Sequence, residues 1–323
     1  MTQRRRFGAT GRSVHPVGLG CMGLSWAYHA EPVPEAEGIA LIHRAIDLGV
    51  DHLDTSDAYG PYKNEELVGR AIADRRDRVV LATKFGLTRD PDASGKSKYK
   101  YGRNGRPEYV RAACDASLKR LKVDEIDLYY LHRVDPETPL EDTWGAMARL
   151  VEAGKVRWLG ISEPKVPQLE LAHRIHPVTA VQSEMSLWTR DYVGDVAPWC
   201  ADNRATFVAF SPLGRGFLTG AISADREFGP DDFRSTLPRF TAEARAENQR
   251  IVDAVKEVAS RRGATPAQIA LSWVLARGEH VVAIPGTRRE KYLEQNVAAA
   301  DVALTPEDLG ELDALPAPVG ARY

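Results

Sequence analysis

The sequence predicts a closed (β/α)8 barrel, the TIM-barrel class of α/β fold, with an N-terminal β-hairpin and long loops at the C-terminal face. Three observations predict it. Short β-rich runs alternate with longer helical patterns down the whole chain, which implies parallel pairing through crossovers. Eight such units follow one another with no shift in composition between the halves. The residues that end the runs are unusually polar, as befits the end of a barrel where chemistry is carried. A doubly wound open sheet is the alternative.

The elements follow in order. A hairpin-like start ("RRRFG", turn "ATG", "RSVHP") precedes the strand candidates "VGLG", "VDHLD", "VVLATK", "IDLYYLH", "VRWLGIS", "TAVQSE", "TFVAFS" and "VVAIPG". Between them lie helical patterns such as "EAEGIALIHRAIDLG", "PEYVRAACDASLKRLK" and "LEDTWGAMARLVEAGK". The second opens on Pro107 and the third closes at Gly154, the punctuation helices favour. Two connections are long and rich in turn formers, residues 86–106 after the third strand and 212–240 after the seventh. Both leave the catalytic end, where long loops commonly bind or cover ligands.

Composition narrows the function classes. A chain of 323 residues with 43% hydrophobic residues and a net charge of -2 can bury a large core, and residues 1–323 read as a single barrel domain. The balanced charge offers no basic face for nucleic acid; Arg4 to Arg6 and Arg261–Arg262 read as solvated surface. No window has the unbroken apolar length needed to cross a bilayer, and the polar "ATGRS" after "RRRFG" does not suit an export signal. Cys21, Cys114 and Cys200 are odd in number and widely spaced, which fits neither a disulfide framework nor a thiolate metal site and points to a reducing cytoplasm. Oligomeric state is not legible.

The strand ends carry the candidate chemistry. Asp54 ends the second strand, Lys84 the third and His132 the fourth, while Tyr59 sits in the loop just after Asp54, so all four are expected at one mouth. A buried Lys beside a phenol favours the phenolate and shifts the Tyr pKa down, and a carboxylate paired with that Lys keeps it charged. Tyr59 then serves as general acid, with His132 placed on the same substrate oxygen. Taken singly, each residue fits a structural role; four together at successive strand ends favour a site. No paired His or carboxylate spacing suggests a metal centre. Gly18, Gly20 and Gly23 satisfy G-x-G-x-x-G, but Pro32 and Pro34 precede any helical pattern, so a loop at the mouth, with Gly23 near cofactor or substrate, fits better than a dinucleotide-binding helix start.

These residues stand in segments that carry a resemblance. "DHLDTSDAYG", "EELVGRAI", "LATKFG", "DLYYLHRVD", "GKVRWLGISE", "VQSEMSLW", "SPLGRGFLTG" and "AIPGTRREKYLEQN" together resemble the aldo-keto reductase family, nearly end to end and in order. "GISEP", "SLWTRD" and "GRGFLTG" are most similar to its auxin-induced-like and pyridoxal reductase-like branch. The resemblance implies a nicotinamide-dependent carbonyl reductase with Asp54, Tyr59, Lys84 and His132 as catalytic tetrad and NADPH as cofactor. It implies that Ser162 and Gln182 hold the nicotinamide carboxamide, Phe210 stacks on the ring, Ser211, Leu213 and Gly216 line the pyrophosphate, and Gly286, Thr287, Arg288, Gln295 and Asn296 hold the adenosine-phosphate end. Glu163 departs from the pattern, standing where many members carry Asn; an ionised carboxylate only accepts hydrogen bonds. Trp26, Tyr28, Phe85 and Trp188 are candidates to wall a pocket for a small carbonyl substrate. A cofactor-binding regulatory module of the same fold, with little turnover, is the rival expectation.

Overall fold

The computed structural model describes residues 2–28, 31–89, 100–223 and 225–323. The opening hairpin pairs β1 (Arg5–Arg6) with β2 (Ser13–Val14). The sheet then gathers β3 (Leu19–Gly20), β4 (His52–Asp54), β5 (Val80–Phe85), β8 (Ile126–Leu131), β9 (Val156–Ser162), β10 (Val178–Glu184), β11 (Thr206–Phe210) and β12 (Val281–Ala283). They are neighbours in chain order and all parallel. These are the eight runs expected from the sequence. Between β5 and β8, β6 (Leu87–Arg89) and β7 (Tyr101–Arg103) form a separate antiparallel hairpin inside the first long connection, whose residues 90–99 lie outside the described ones.

Helices fill the crossovers: α1 (Glu35–Asp47), α2 (Lys63–Ile72), α3 (Pro107–Leu121), α4 (Leu140–Glu152), α5 (Val166–Ile175), α6 (Val196–Asp202), α7 (Ala242–Arg262), α8 (Pro266–Leu275), α9 (Glu290–Ala298) and α10 (Pro306–Asp313). The sheet curls round until its first and last strands meet. Gly18 N donates to Ala283 O at 2.8 Å, and Val17 bridges Ala283 in parallel. A Cβ on Gly20 would meet Ile284 O at 2.7 Å, and one on Gly286 would meet Gly20 O at 2.9 Å. The glycines of "GLGCMG" therefore belong partly to barrel closure, where backbone passes against backbone. A 3-10 turn (Met22–Leu24), not an α-helix, follows them, which removes the dinucleotide-helix reading.

Strand alternation divides the core in two. Inward-facing Val80, Ala82, Leu128, Tyr130, Ala180, Val208, Val282 and Ile284 fill the barrel, and Phe7 from the hairpin plugs its floor, edge-on to His52 at 5.3 Å. Residues one step out of phase, such as Leu81, Phe85, Tyr129, Leu131, Ile161 and Phe207, pack against the helix layer. Gly160 is required by this interior: a Cβ there would lie 2.4 Å from the Tyr130 ring.

A buried polar knot supports the β4 loop. Glu65 on α2 is fully buried and accepts from Thr83 Oγ1 and Arg120 Nε, both at 2.6 Å. Asp57 lies close by, and burial, reinforced by the like charge of Glu65, pushes its carboxyl from 3.8 up to about 8.

Two outcomes are expected. Gly160→Ala forces the Tyr130 ring aside and should lower stability by about 1–3 kcal/mol, measured by thermal denaturation, because overpacked interiors relax poorly. Between 3.8 and about 8 the unfolded carboxyl is ionised while the folded one is protonated, so Asp57 takes up a proton on folding. That cost is absent below 3.8, grows through the interval up to about 8, and is constant above it. The Tm advantage of Asp57→Asn over the parent should follow that course; an advantage independent of pH would show that Asp57 ionises normally in the folded chain.

Candidate active site

The C-terminal ends of the strands form a mouth, and the sequence-predicted quartet meets there. Asp54 closes β4 at 2% exposure; Lys84, fully buried, projects inward from β5. Lys84 Nζ donates to Asp54 Oδ1, to Thr55 O at 2.9 Å and to Tyr59 OH at 3.2 Å. An ammonium has three hydrogens, and all three are used. The second Asp54 oxygen, Oδ2, accepts from Gln182 Nε2 at 2.7 Å, a residue that arrives from β10 across the barrel. His132 follows β8, its backbone N–H donating to Phe85 O at 2.8 Å and its ring standing nearly perpendicular to Tyr59 at 5.9 Å.

The electrostatics differ from the sequence expectation at one point. Burial raises the Tyr59 pKa above 10.0, and the lowering influence of Lys84 only partly offsets it, so Tyr59 is a neutral phenol with a proton to give. The expected downward shift fails because desolvation, the larger effect, depends on three-dimensional enclosure. For Lys84, burial opposes the charge, yet Asp54 and Tyr59 raise its pKa overall. His132 is driven well below 6.5 by burial, then by Arg133 and Lys84, and is uncharged.

Ser56 is a participant that sequence reasoning missed. Its Oγ lies 3.2 Å from His132 Nδ1 and accepts from Ala58 N at 3.1 Å. A hydroxyl hydrogen turned toward Nδ1 leaves the imidazole proton on Nε2. Its position inside "DTSDAYG", between Asp54 and Tyr59, was the available signal. Arg133 was missed as well. Its Nη1 donates to His132 O at 2.6 Å and to Ser162 Oγ at 3.0 Å, and its guanidinium lies 6.0 Å from the Phe210 ring centroid.

The remaining candidates distribute around the rim. Ser162 and Gln182 are buried at the ends of β9 and β10, and Phe210 ends β11 half-buried. Beyond it, Ser211 (φ 48), Arg215 (φ 54) and Gly216 (φ 95) are left-handed, and Ser211 O and Leu213 O accept from Gly214 N and Gly216 N in tight turns. Thr287 Oγ1 accepts from Arg289 N at 3.1 Å just before α9. Arg288, half-buried, has no hydrogen-bond or ion-pair partner among the described residues. Gln295 is half-buried and Asn296 buried on α9. Gly23, in the turn after β3, faces open space.

Glu163 is left-handed (φ 57) and engaged on both oxygens: Oε1 accepts from Glu184 N at 2.9 Å, and Oε2 pairs with Arg322. Glu184 in turn accepts from Arg215 Nη1 at 3.0 Å, Arg215 Nη2 at 2.8 Å and Arg322 Nε at 2.8 Å. Of the four aromatic wall candidates, two belong elsewhere. Phe85 faces outward and stacks on Tyr129 at 4.9 Å, because alternation sends it opposite to Lys84; Trp188 is 2% exposed and packs on Phe217 at 4.2 Å. Trp26 and Tyr28 are half-buried on the loop after β3, under the guanidinium groups of Arg89 at 4.5 Å and Arg234 at 5.1 Å. Among the described residues, no His, Cys, Asp or Glu cluster could hold a metal ion, and no helix is long and apolar enough to cross a membrane.

Comparison with known proteins agrees with this geometry. The chain is 29% identical to the glycerol dehydrogenase of Gluconobacter oxydans, with a TM-score of 0.86, covering 99% of this chain and 98% of that one. It is 30% identical to an aldo-keto reductase of Klebsiella pneumoniae solved in complex with NADPH, at a TM-score of 0.73, with 99% and 97% covered. A second Klebsiella pneumoniae structure, solved with NADP and acetate, is 29% identical at a TM-score of 0.73, with 100% and 98% covered. The sequence profile described as the Aldo/keto reductase family matches residues 16–317, and with a (β/α)8 barrel beneath it the chain belongs to that family.

Proposed function

We propose that the chain, acting as one barrel domain over residues 1–323, is an NADPH-dependent carbonyl reductase that converts aldehydes or ketones to alcohols. The observation that carries this reading is the single Lys84 ammonium bonded at once to Asp54 and to the Tyr59 hydroxyl, with uncharged His132 alongside. NADP(H)-bound relatives at about the same similarity support the cofactor. "GISEP", "SLWTRD" and "GRGFLTG" favour the auxin-induced-like and pyridoxal reductase-like branch. Three buried, free cysteines suit a reducing cytoplasm.

The residues present fit the cofactor. Ser162 and Gln182 offer a hydroxyl and an amide at adjacent strand ends for the carboxamide, and the half-buried face of Phe210 suits a flat ring. Ser211, Leu213 and Gly216 lie in the tight turns after β11, at the rim where the pyrophosphate would pass. Gly286 admits close approach beside Gly20, with Gly23 at the rim of the same loop. Thr287, unpartnered Arg288, Gln295 and Asn296 cluster at the start and along α9, where helix dipole and guanidinium favour a dianionic 2′-phosphate.

When bound, the reduced nicotinamide supplies a hydride to the carbonyl carbon. Tyr59 gives its hydroxyl proton to the carbonyl oxygen, which completes the alcohol. Lys84 stabilises the phenolate that Tyr59 becomes, so the acid is strengthened as its proton leaves. Asp54 keeps Lys84 charged, and Gln182 holds the other Asp54 oxygen. His132, turned by Ser56, directs its Nε2 hydrogen at the carbonyl oxygen and polarises it.

Tyr59→Phe should cut kcat by about a hundred- to ten-thousand-fold while Kd for NADPH stays near the parent value, since only the proton donor is removed. Steady-state rates and cofactor titration check this; a variant that keeps most of its kcat would move the acid elsewhere. Arg288→Ala should weaken NADPH by about ten- to a hundred-fold and leave NADH nearly unaffected, because only NADPH carries the 2′-phosphate. Equal losses for both cofactors would take Arg288 out of the phosphate site.

A further inference from the structure

The charges at the mouth do not balance. Lys84 is matched by Asp54, while Arg215 and Arg322 are matched by Glu184 and Glu163. Arg133 stands over the same space with no carboxylate partner among the described residues. Arg133 is half-buried, and its Nη1 rests on His132 O at 2.6 Å and Ser162 Oγ at 3.0 Å. Both contacts are to neutral oxygens through one nitrogen, so further donors of the five-donor fork have no acceptor among the described residues. A half-buried cation costs solvation free energy, and an unmatched one is retained most readily where an anion arrives from outside.

The position says which anion. Arg133 sits at the His132 and Ser162 end of the mouth, next to the reacting group, whereas the proposed phosphate contacts at Thr287 and Arg288 lie on the loop between β12 and α9, and β10 and β11 stand between β9 and β12 in the sheet. We propose that Arg133 is a specificity-determining residue that selects carbonyl substrates carrying a carboxylate, with the carboxylate meeting the guanidinium while the carbonyl oxygen meets Tyr59 and His132. This rests on the reductase reading above and adds the substrate class to it. The chemistry is unchanged: one hydride and one proton reduce the carbonyl, and the carboxylate takes no part.

The test uses the full chain, NADPH, and paired aldehydes, one charged and one neutral: 3- and 4-carboxybenzaldehyde against their methyl esters. The parent should favour the acid over its ester in kcat/KM by about tenfold or more for at least one isomer, since a charge-assisted contact is worth about ten- to a hundred-fold. Arg133→Gln should bring that ratio to near one, and Arg133→Lys should restore part of it, with Tm checking that each variant is folded. Esters reduced as well as or better than the acids in both isomers would overturn the proposal, as would a ratio that survives Arg133→Gln. Should Arg133→Gln not fold, the parent acid-to-ester ratio decides alone. Failure of the parent to reduce any of the four aldehydes would instead sink the reductase reading. Binding of 4-(hydroxymethyl)benzoate against 4-(hydroxymethyl)benzamide then decides the anion site: tighter carboxylate binding lost in Arg133→Gln supports it, and equal affinities refute it.

Discussion

The Lys84–Asp54 pair is the constraint on which the rest of the site depends. A fully buried ammonium is tolerable only if each hydrogen is satisfied, and here Asp54, Thr55 O and Tyr59 OH take one each. The two strands must therefore hold Asp54 and Lys84 in fixed phase, which the register His52↔Val80, Leu53↔Leu81, Asp54↔Ala82 secures. Gln182 then fixes the carboxylate from the opposite wall. Removing one partner of such a pair leaves a buried charge and typically costs about 3–5 kcal/mol. Stability and the proposed chemistry are thus joined in the same few atoms, and the geometry of the phenol is inherited from the pair beneath it.

Around this rigid centre the rim carries strained backbone. Glu163, Ser211 and Arg215 are non-glycine residues in the left-handed region, a conformation that persists only when surroundings impose it. The imposing agent is visible for two of them. Glu184, 1% exposed, grips Arg215 with both oxygens and receives Arg322, which also holds Glu163. One buried carboxylate on β10 thereby ties the loop after β11 and the segment after α10 to the strand ends. Phe233 N donating to Ala27 O at 2.7 Å adds a tie across the mouth to the loop after β3.

The sequence made the architecture legible because a barrel writes itself locally: short apolar runs alternate with punctuated helical patterns, and polar residues stand at or next to several of the strand ends. Asp54, Lys84 and His132 could be placed at one mouth from strand ends alone. The same alternation places Phe85 outside, and ignoring it for that residue produced the wrong wall. What stayed illegible depends on distance or enclosure. The Glu184 contact to Arg322 spans 138 positions and the Gln182 contact to Asp54 spans 128. No spacing announces either. The direction of the Tyr59 shift turns on how much water the folded mouth excludes, and burial there outweighs the lysine.

A vertical gradient inside the barrel explains why one fold can hold both a stable core and a charged site. At the floor, Phe7 lies against His52, whose ring burial keeps below its ordinary pKa and so uncharged. In the middle, small residues such as Ala82, Ala180 and Gly160 leave room for Leu128 and Tyr130. One step higher along the same strands the inward positions are Lys84, Ser162 and Gln182, with Glu184 a further step above, each bonded to a residue from another element. A displacement of two residues along a strand therefore moves a side chain from packing to chemistry. The apolar layers below deny the charged layer water from beneath, so its polar groups must satisfy one another or a ligand that enters from above.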